Sequence, residues 1–120
     1  MQLKGPVPIL YVPDMDESIR FYTDVLGFSC ANRADGWATL QCGLAEIMLS
    51  PPNEHLPFEK PGFTGSLYFQ AEELDALWEK LRDKVVIVYP IENFDYGMRE
   101  FAIRDINGYI LQFGQEITAP

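Results

Sequence analysis

The chain has 120 residues, 48% of them apolar, which is enough to bury the core of one compact domain and too few for two separately stable ones. Eighteen acidic residues against nine basic ones leave a formal net charge of −9 and a pI near 4.4, which argues against nucleic acid and favours the approach of cations. With no run of about eighteen apolar residues and no basic-then-apolar leader, neither a membrane span nor secretion is expected, and the cytoplasm is the expected address.

From the N-terminus, the apolar run 7–12 predicts a short strand, which Pro13 breaks. Asp14 then stands where a helix N-cap belongs, with Glu17 three residues on as in a capping box. Met15, Ile19, Tyr22 and Leu26 recur at helical spacing up to a stop at Gly27. Three strands follow at 28–33, 37–42 and 45–50, with turns at 34–36 and at Gly43. Cys30 and Cys42 lack CxxC spacing, suggest neither a disulfide framework nor a zinc knuckle, and read as small buried hydrophobes.

The segment 51–62 carries four of the nine prolines and reads as a linker or a loop over a pocket mouth. After it the order repeats. A strand at 66–70 is followed by a helix at 72–84, with Leu74, Leu77, Trp78 and Leu81 on one face, and by strands at 85–89, 97–104 and 109–114. Asp105 can start, and Gly108 close, the tight turn between the last two. The expected organisation is a single domain of two modules, at about 5–50 and 64–116, joined by a linker at about 51–63. Each is strand-helix-strand-strand-strand, giving an α+β fold whose two curled mixed sheets surround a shared hollow.

Alternation with a period of two sorts the strand side chains. Leu40, Ile47, Leu49, Leu67, Phe69, Leu111 and Phe113 should lie under the helices. The other face should carry Val7, Ile9, Tyr11, Trp37, Thr39, Met48, Ser66, Tyr68, Ile110 and Gln112, a set that is aromatic and polar but uncharged. Tyr22 and Trp78, on helical stripes, read as core.

Val7-Pro8-Ile9-Leu10, the stretch from Asp14 to Ile19, and Phe21-Tyr22-Thr23-Asp24-Val25-Leu26-Gly27-Phe28-Ser29 carry one family resemblance, and Tyr96-Gly97 with the run from Arg99 to Asp105 continue it. These segments resemble the vicinal-oxygen-chelate superfamily of glyoxalases, bleomycin-resistance proteins and dioxygenases, and within it the bleomycin-resistance branch. The resemblance implies two βαβββ modules and a homodimer with two ligand sites at its interface, where a drug is sequestered unaltered. Trp37 falls on an aromatic position of the resistance proteins. Metal-using members of the superfamily bind their ion through His and Glu at positions that hold Val7, Met48, Ser66 and Gln112 here, and none of these suits a divalent first-row metal.

Other catalytic patterns are missing as well. The one histidine, His55, lies in the proline-rich segment, so a Ser-His-Asp or Cys-His arrangement cannot be built on Ser66 or Cys42 unless that loop folds inward. Gly62-Phe63-Thr64-Gly65 lacks the lysine and helix of a phosphate-cradling loop. Glu46 and Glu100 could act as acid and base if both lay in the hollow; a solvated strand-face carboxylate, or a salt bridge to Arg99 or Arg104, is the plainer reading.

The expectation is therefore a binding protein without metal, cofactor or catalytic residue. Its partners would be a second copy of itself and a small cationic or aromatic ligand, contacted by Trp37, Tyr11, Thr39, Met48, Ser66, Tyr68, Tyr96 and Gln112. The alternative is a vicinal-oxygen-chelate lyase, isomerase or dioxygenase with an altered site.

Overall fold

The computed structural model describes residues 1–2, 4–52 and 60–118. His55 and most of the proline-rich segment lie outside them. The chain forms two compact units, Met1–Pro61 and Gly62–Pro120. The first runs β1 (Ile9–Tyr11), α1 (Met15–Arg20), β2 (Ser29–Ala34), β3 (Trp37–Cys42) and β4 (Ala45–Ser50). The second runs β5 (Leu67–Gln70), α2 (Leu74–Leu81), β6 (Val86–Asn93), β7 (Met98–Arg104) and β8 (Ile110–Glu116). Both are βαβββ modules with an open four-stranded mixed sheet, ordered β1-β4-β3-β2 and β5-β8-β7-β6. In each, the first strand pairs parallel to the last and the other pairings are antiparallel.

Local chemistry explains most boundaries. β1 starts only at Ile9 because Pro8 has no N–H to give a ladder; its carbonyl still accepts from Met48 N at 2.9 Å. Asp14 caps the helix as expected, its Oδ1 accepting from the Glu17 N–H at 3.0 Å. Beyond Arg20 the helix widens into a π-turn over Phe21–Val25, and the Leu26 N–H reaches the Phe21 carbonyl. The Thr23 hydroxyl donates to the Ile19 carbonyl at 2.9 Å in this turn, a side-chain bond that competes with regular helix pairing. Gly27, at φ 85°, ends the segment as its conformational freedom allows.

The second helix is shorter than its spacing suggests. Glu73 stands at φ 53°, a left-handed conformation that cannot continue a helix, and the Leu74 N–H is capped from β8 by Gln115 Oε1 at 3.1 Å. The β7–β8 turn closes as expected: Gly108 N–H donates to the Asp105 carbonyl, and Asp105 Oδ1 accepts from Asn107 N and Tyr109 N.

The core of each unit lies between its sheet and its helix. In the first, Leu10, Leu40, Ile47 and Leu49 are buried with Ile19, Tyr22, Leu26 and Phe28. In the second, Phe101, Ile103, Leu111 and Phe113 are buried with Leu74 and Leu81, and Trp78 packs on Phe101 with ring centroids 5.1 Å apart. The two cysteines correct the sequence reading, since both are exposed thiols. Cys30 belongs to β2, the outermost strand of its sheet, where all six residues are exposed, and Cys42 ends β3, whose last two residues are exposed.

Candidate functional site

The second unit concentrates its polar chemistry on the sheet face turned away from α2. Phe101 and Ile103 point into the core, so their alternate Glu100 projects from the opposite face of β7. Glu100 is nevertheless only 2% exposed, because three tyrosine hydroxyls close over its carboxylate. Tyr68 donates to Oε2 at 2.5 Å; Tyr96 and Tyr89 donate to Oε1 at 2.6 and 3.2 Å. Behind Tyr89, Gln112 Nε2 donates to the phenol oxygen at 2.9 Å, and Ser66 Oγ donates to Gln112 Oε1 at 2.5 Å.

Each tyrosine arrives by a different device. Tyr68 lies on β5 opposite Gln112 of β8, and its ring crosses β8 at Gly114 to reach β7. Only glycine permits that crossing, since a Cβ at 114 would stand 1.8 Å from the Tyr68 hydroxyl. Tyr89 lies on β6 between two irregularities of pairing with β7: Ile87 is opposite Ile103, Tyr89 opposite Ala102 and Glu92 opposite Glu100. Regular pairing from Ile87 would set Tyr89 opposite Phe101, on the helix side; the extra residue Val88 turns it onto the Glu100 face. The second irregularity includes Pro90, which an edge strand tolerates. Tyr96 comes from the turn at 94–97, closed by the Phe94 N–H to Met98 carbonyl bond at 2.8 Å, with Gly97 at φ 85°. Phe94 stacks on the Tyr96 ring and meets Tyr89 edge-on, both with centroids 5.5 Å apart.

The carboxylate leaves its mark on the phenols. Burial, then the hydrogen bond to Glu100, pushes the Tyr68 hydroxyl well above the ordinary range; the bond to Glu100 pushes Tyr96 up to about 12; burial raises Tyr89. The folded state therefore keeps these protons where an unfolded chain loses them. Their contribution to stability is intact below about pH 10 and is lost as pH rises through about 12. In a titration followed at 295 nm, a fraction of the six tyrosines should ionise late, and Glu100→Gln should advance it. A single ordinary tyrosine transition in the wild-type protein would contradict the cluster.

The plainer readings of Glu100, a solvated carboxylate or a salt bridge to Arg99 or Arg104, do not hold. Arg99 is held by Asp75 at 2.7 Å, Arg104 donates to the Gly108 carbonyl, and no basic side chain among the described residues forms an ion pair with Glu100. Of the expected ligand residues, Ser66, Tyr68, Tyr96 and Gln112 join this one network. Tyr11, Trp37, Thr39 and Met48 share one face of the first unit's sheet, where Met48 lies opposite both Ile9 and Thr39. Trp37 is 39% exposed there, Thr39 is buried, and Tyr11 and Met48 are half-buried. Tyr89 was not among the expected residues. Its signal was the proline that follows it, and that of Tyr68's reach was a glycine inside a strand.

The donor set does not fit a metal ion. Ser66 and Gln112 are neutral and bonded to each other, Met48 offers only a thioether, and among the described residues no group of three or more His, Cys, Asp or Glu could hold one.

Comparison with known proteins agrees with the two-module architecture. The family model of the Glyoxalase/Bleomycin resistance protein/Dioxygenase superfamily matches residues 6–113. A bleomycin resistance protein of Geobacillus stearothermophilus is 28% identical over 129 aligned positions, spanning 94% of this chain and 97% of that protein. Among solved structures, a protein of unknown function from Agrobacterium tumefaciens superposes with a TM-score of 0.82 at 20% identity, covering 98% of this chain and 97% of the other. Lactoylglutathione lyase from the same organism gives a TM-score of 0.72 at 20% identity, with 96% of each chain covered.

Proposed function

The chain belongs to the glyoxalase/bleomycin resistance/dioxygenase superfamily, and from that premise we propose that it binds and sequesters a small cationic, aromatic molecule without metal and without altering it. The observation that carries this reading is Glu100: a buried carboxylate ringed by three tyrosines, with no ion-paired base among the described residues. A negative charge held behind aromatic rings is the arrangement that attracts organic cations, each desolvated cation–ring contact contributing about 0.5–2 kcal/mol. In the first unit, Trp37 offers an exposed aromatic face of its own, and the net charge of −9 draws cations over long range. The bleomycin resistance relative, 28% identical, supports a resistance-type role.

The reading also takes the protein to be a homodimer, because both sheets are open and a second copy would cover edges that each unit leaves unpaired. Sedimentation at micromolar concentration checks this, and monomer alone would refute it.

Calorimetric titration with a planar organic cation tests the function. Affinity should fall as salt rises, should be unchanged by a chelator, and should drop by roughly five-fold to over a hundred-fold in Tyr96→Ala, the cost of about 1–3 kcal/mol for one lost stacking partner. The competing reading, a lyase, isomerase or dioxygenase, predicts that the bound compound is recovered changed. Recovery of an altered compound would replace the proposal by that reading.

A further inference from the structure

The direction of the hydrogen bonds in the Glu100 cluster narrows the kind of cation it suits, and the argument rests on the binding reading above. A carboxylate has only lone pairs to offer, so Tyr68, Tyr89 and Tyr96 must each turn their single hydroxyl proton toward Glu100. With its own proton committed, Tyr89 can only accept from Gln112, which must present its NH₂ there and its carbonyl to Ser66. Ser66 in turn donates to that carbonyl. One charge thus orders the chain from Ser66 to Glu100, with every hydroxyl proton pointing inward.

The consequence lies at the outer rim. Tyr68 and Tyr96 are 42% and 64% exposed, and Ser66 is exposed. The hydroxyls of all three can offer an incoming group only oxygen lone pairs, with the Glu100 charge one hydrogen bond behind Tyr68 and Tyr96 and three behind Ser66. We infer that this rim is a recognition site for an N–H-donating organic cation, a protonated amine or a guanidinium, and that it discriminates against quaternary ammonium groups and anions. A quaternary ammonium can use the ring faces but has no proton to give the three oxygens. An anion meets lone pairs and negative charge alone.

Four probes of similar bulk separate the possibilities at pH 7: benzylammonium, phenylguanidinium, phenyltrimethylammonium and benzoate, titrated into the intact protein by calorimetry. The two N–H donors should bind at least about ten-fold tighter than phenyltrimethylammonium, with benzoate not binding measurably. Tyr96→Phe, which keeps the ring on its exposed turn and removes one acceptor oxygen, should shrink the preference for benzylammonium over phenyltrimethylammonium by several-fold. Phenyltrimethylammonium binding as tightly as benzylammonium, or an unchanged preference in Tyr96→Phe, would overturn the donor rule while leaving a cation-binding protein. Benzoate binding as well as the cations, or no cation binding at all, would overturn the cation reading itself.

Discussion

Truncating Phe101 to alanine should destabilise the protein by about 3–5 kcal/mol, the usual cost of emptying a buried aromatic site. Phe101 is fully buried on β7, with Trp78 of α2 at 5.1 Å and Phe113 of β8 at 5.2 Å between ring centroids. Its removal would therefore open a cavity where helix and sheet meet. The flanking rings are held by their own strand and helix and can close only part of it. Phe101→Leu, which keeps most of the volume, should cost distinctly less. Urea unfolding measures both. An alanine variant within about 1 kcal/mol of wild type would mean that this layer packs differently. The neighbouring residue Glu100 shares the strand, so the cavity should also loosen the tyrosine cluster on the other face.

Gly114→Ala is expected to act on the site itself. In an ordinary strand this change gains about 0.5–1 kcal/mol, because alanine loses less freedom on folding than glycine. Here the new methyl would stand 1.8 Å from the Tyr68 hydroxyl and 2.5 Å from the ring carbon bearing it, so the ring must leave its crossing over β8. Tyr68 then loses its bond to Glu100, a charge-assisted hydrogen bond whose loss costs about 1.5–3 kcal/mol. The expected outcome is a net destabilisation of about 0.5–2.5 kcal/mol, being that loss less the glycine gain, and weaker binding of benzylammonium. A double-mutant cycle isolates the cause: in a Tyr68→Ala background the clash is gone, and Gly114→Ala should become neutral or stabilising. An equal cost in both backgrounds would show that Gly114 matters for some reason other than the tyrosine.

The sequence by itself determined what depends on near neighbours. Strands β3 and β4 run over the residues their alternation marks, Asp14 caps the first helix through the Glu17 N–H, and Asp105 and Gly108 make the turn between the last two strands. Each of these is set by spacings of one to four residues, which a sequence displays directly. The same alternation placed Ser66, Tyr68 and Gln112 on one face, because a regular strand has no other option.

The tertiary structure alone decided where those faces lead. Tyr68 meets Glu100 across 32 residues of chain and one intervening strand, through a gap that exists because residue 114 has no side chain. Cys30 and Cys42 read as buried until the structure places the first on the outermost strand and the second at the exposed end of β3. Tyr89 alternates with Ile87 and should join it in the core, yet an extra residue in β6 turns it to the site. The physical reason is the strand's two-residue period: one unpaired residue exchanges the two faces, and the cross-strand hydrogen bonds that fix where it falls belong to no single segment of the sequence.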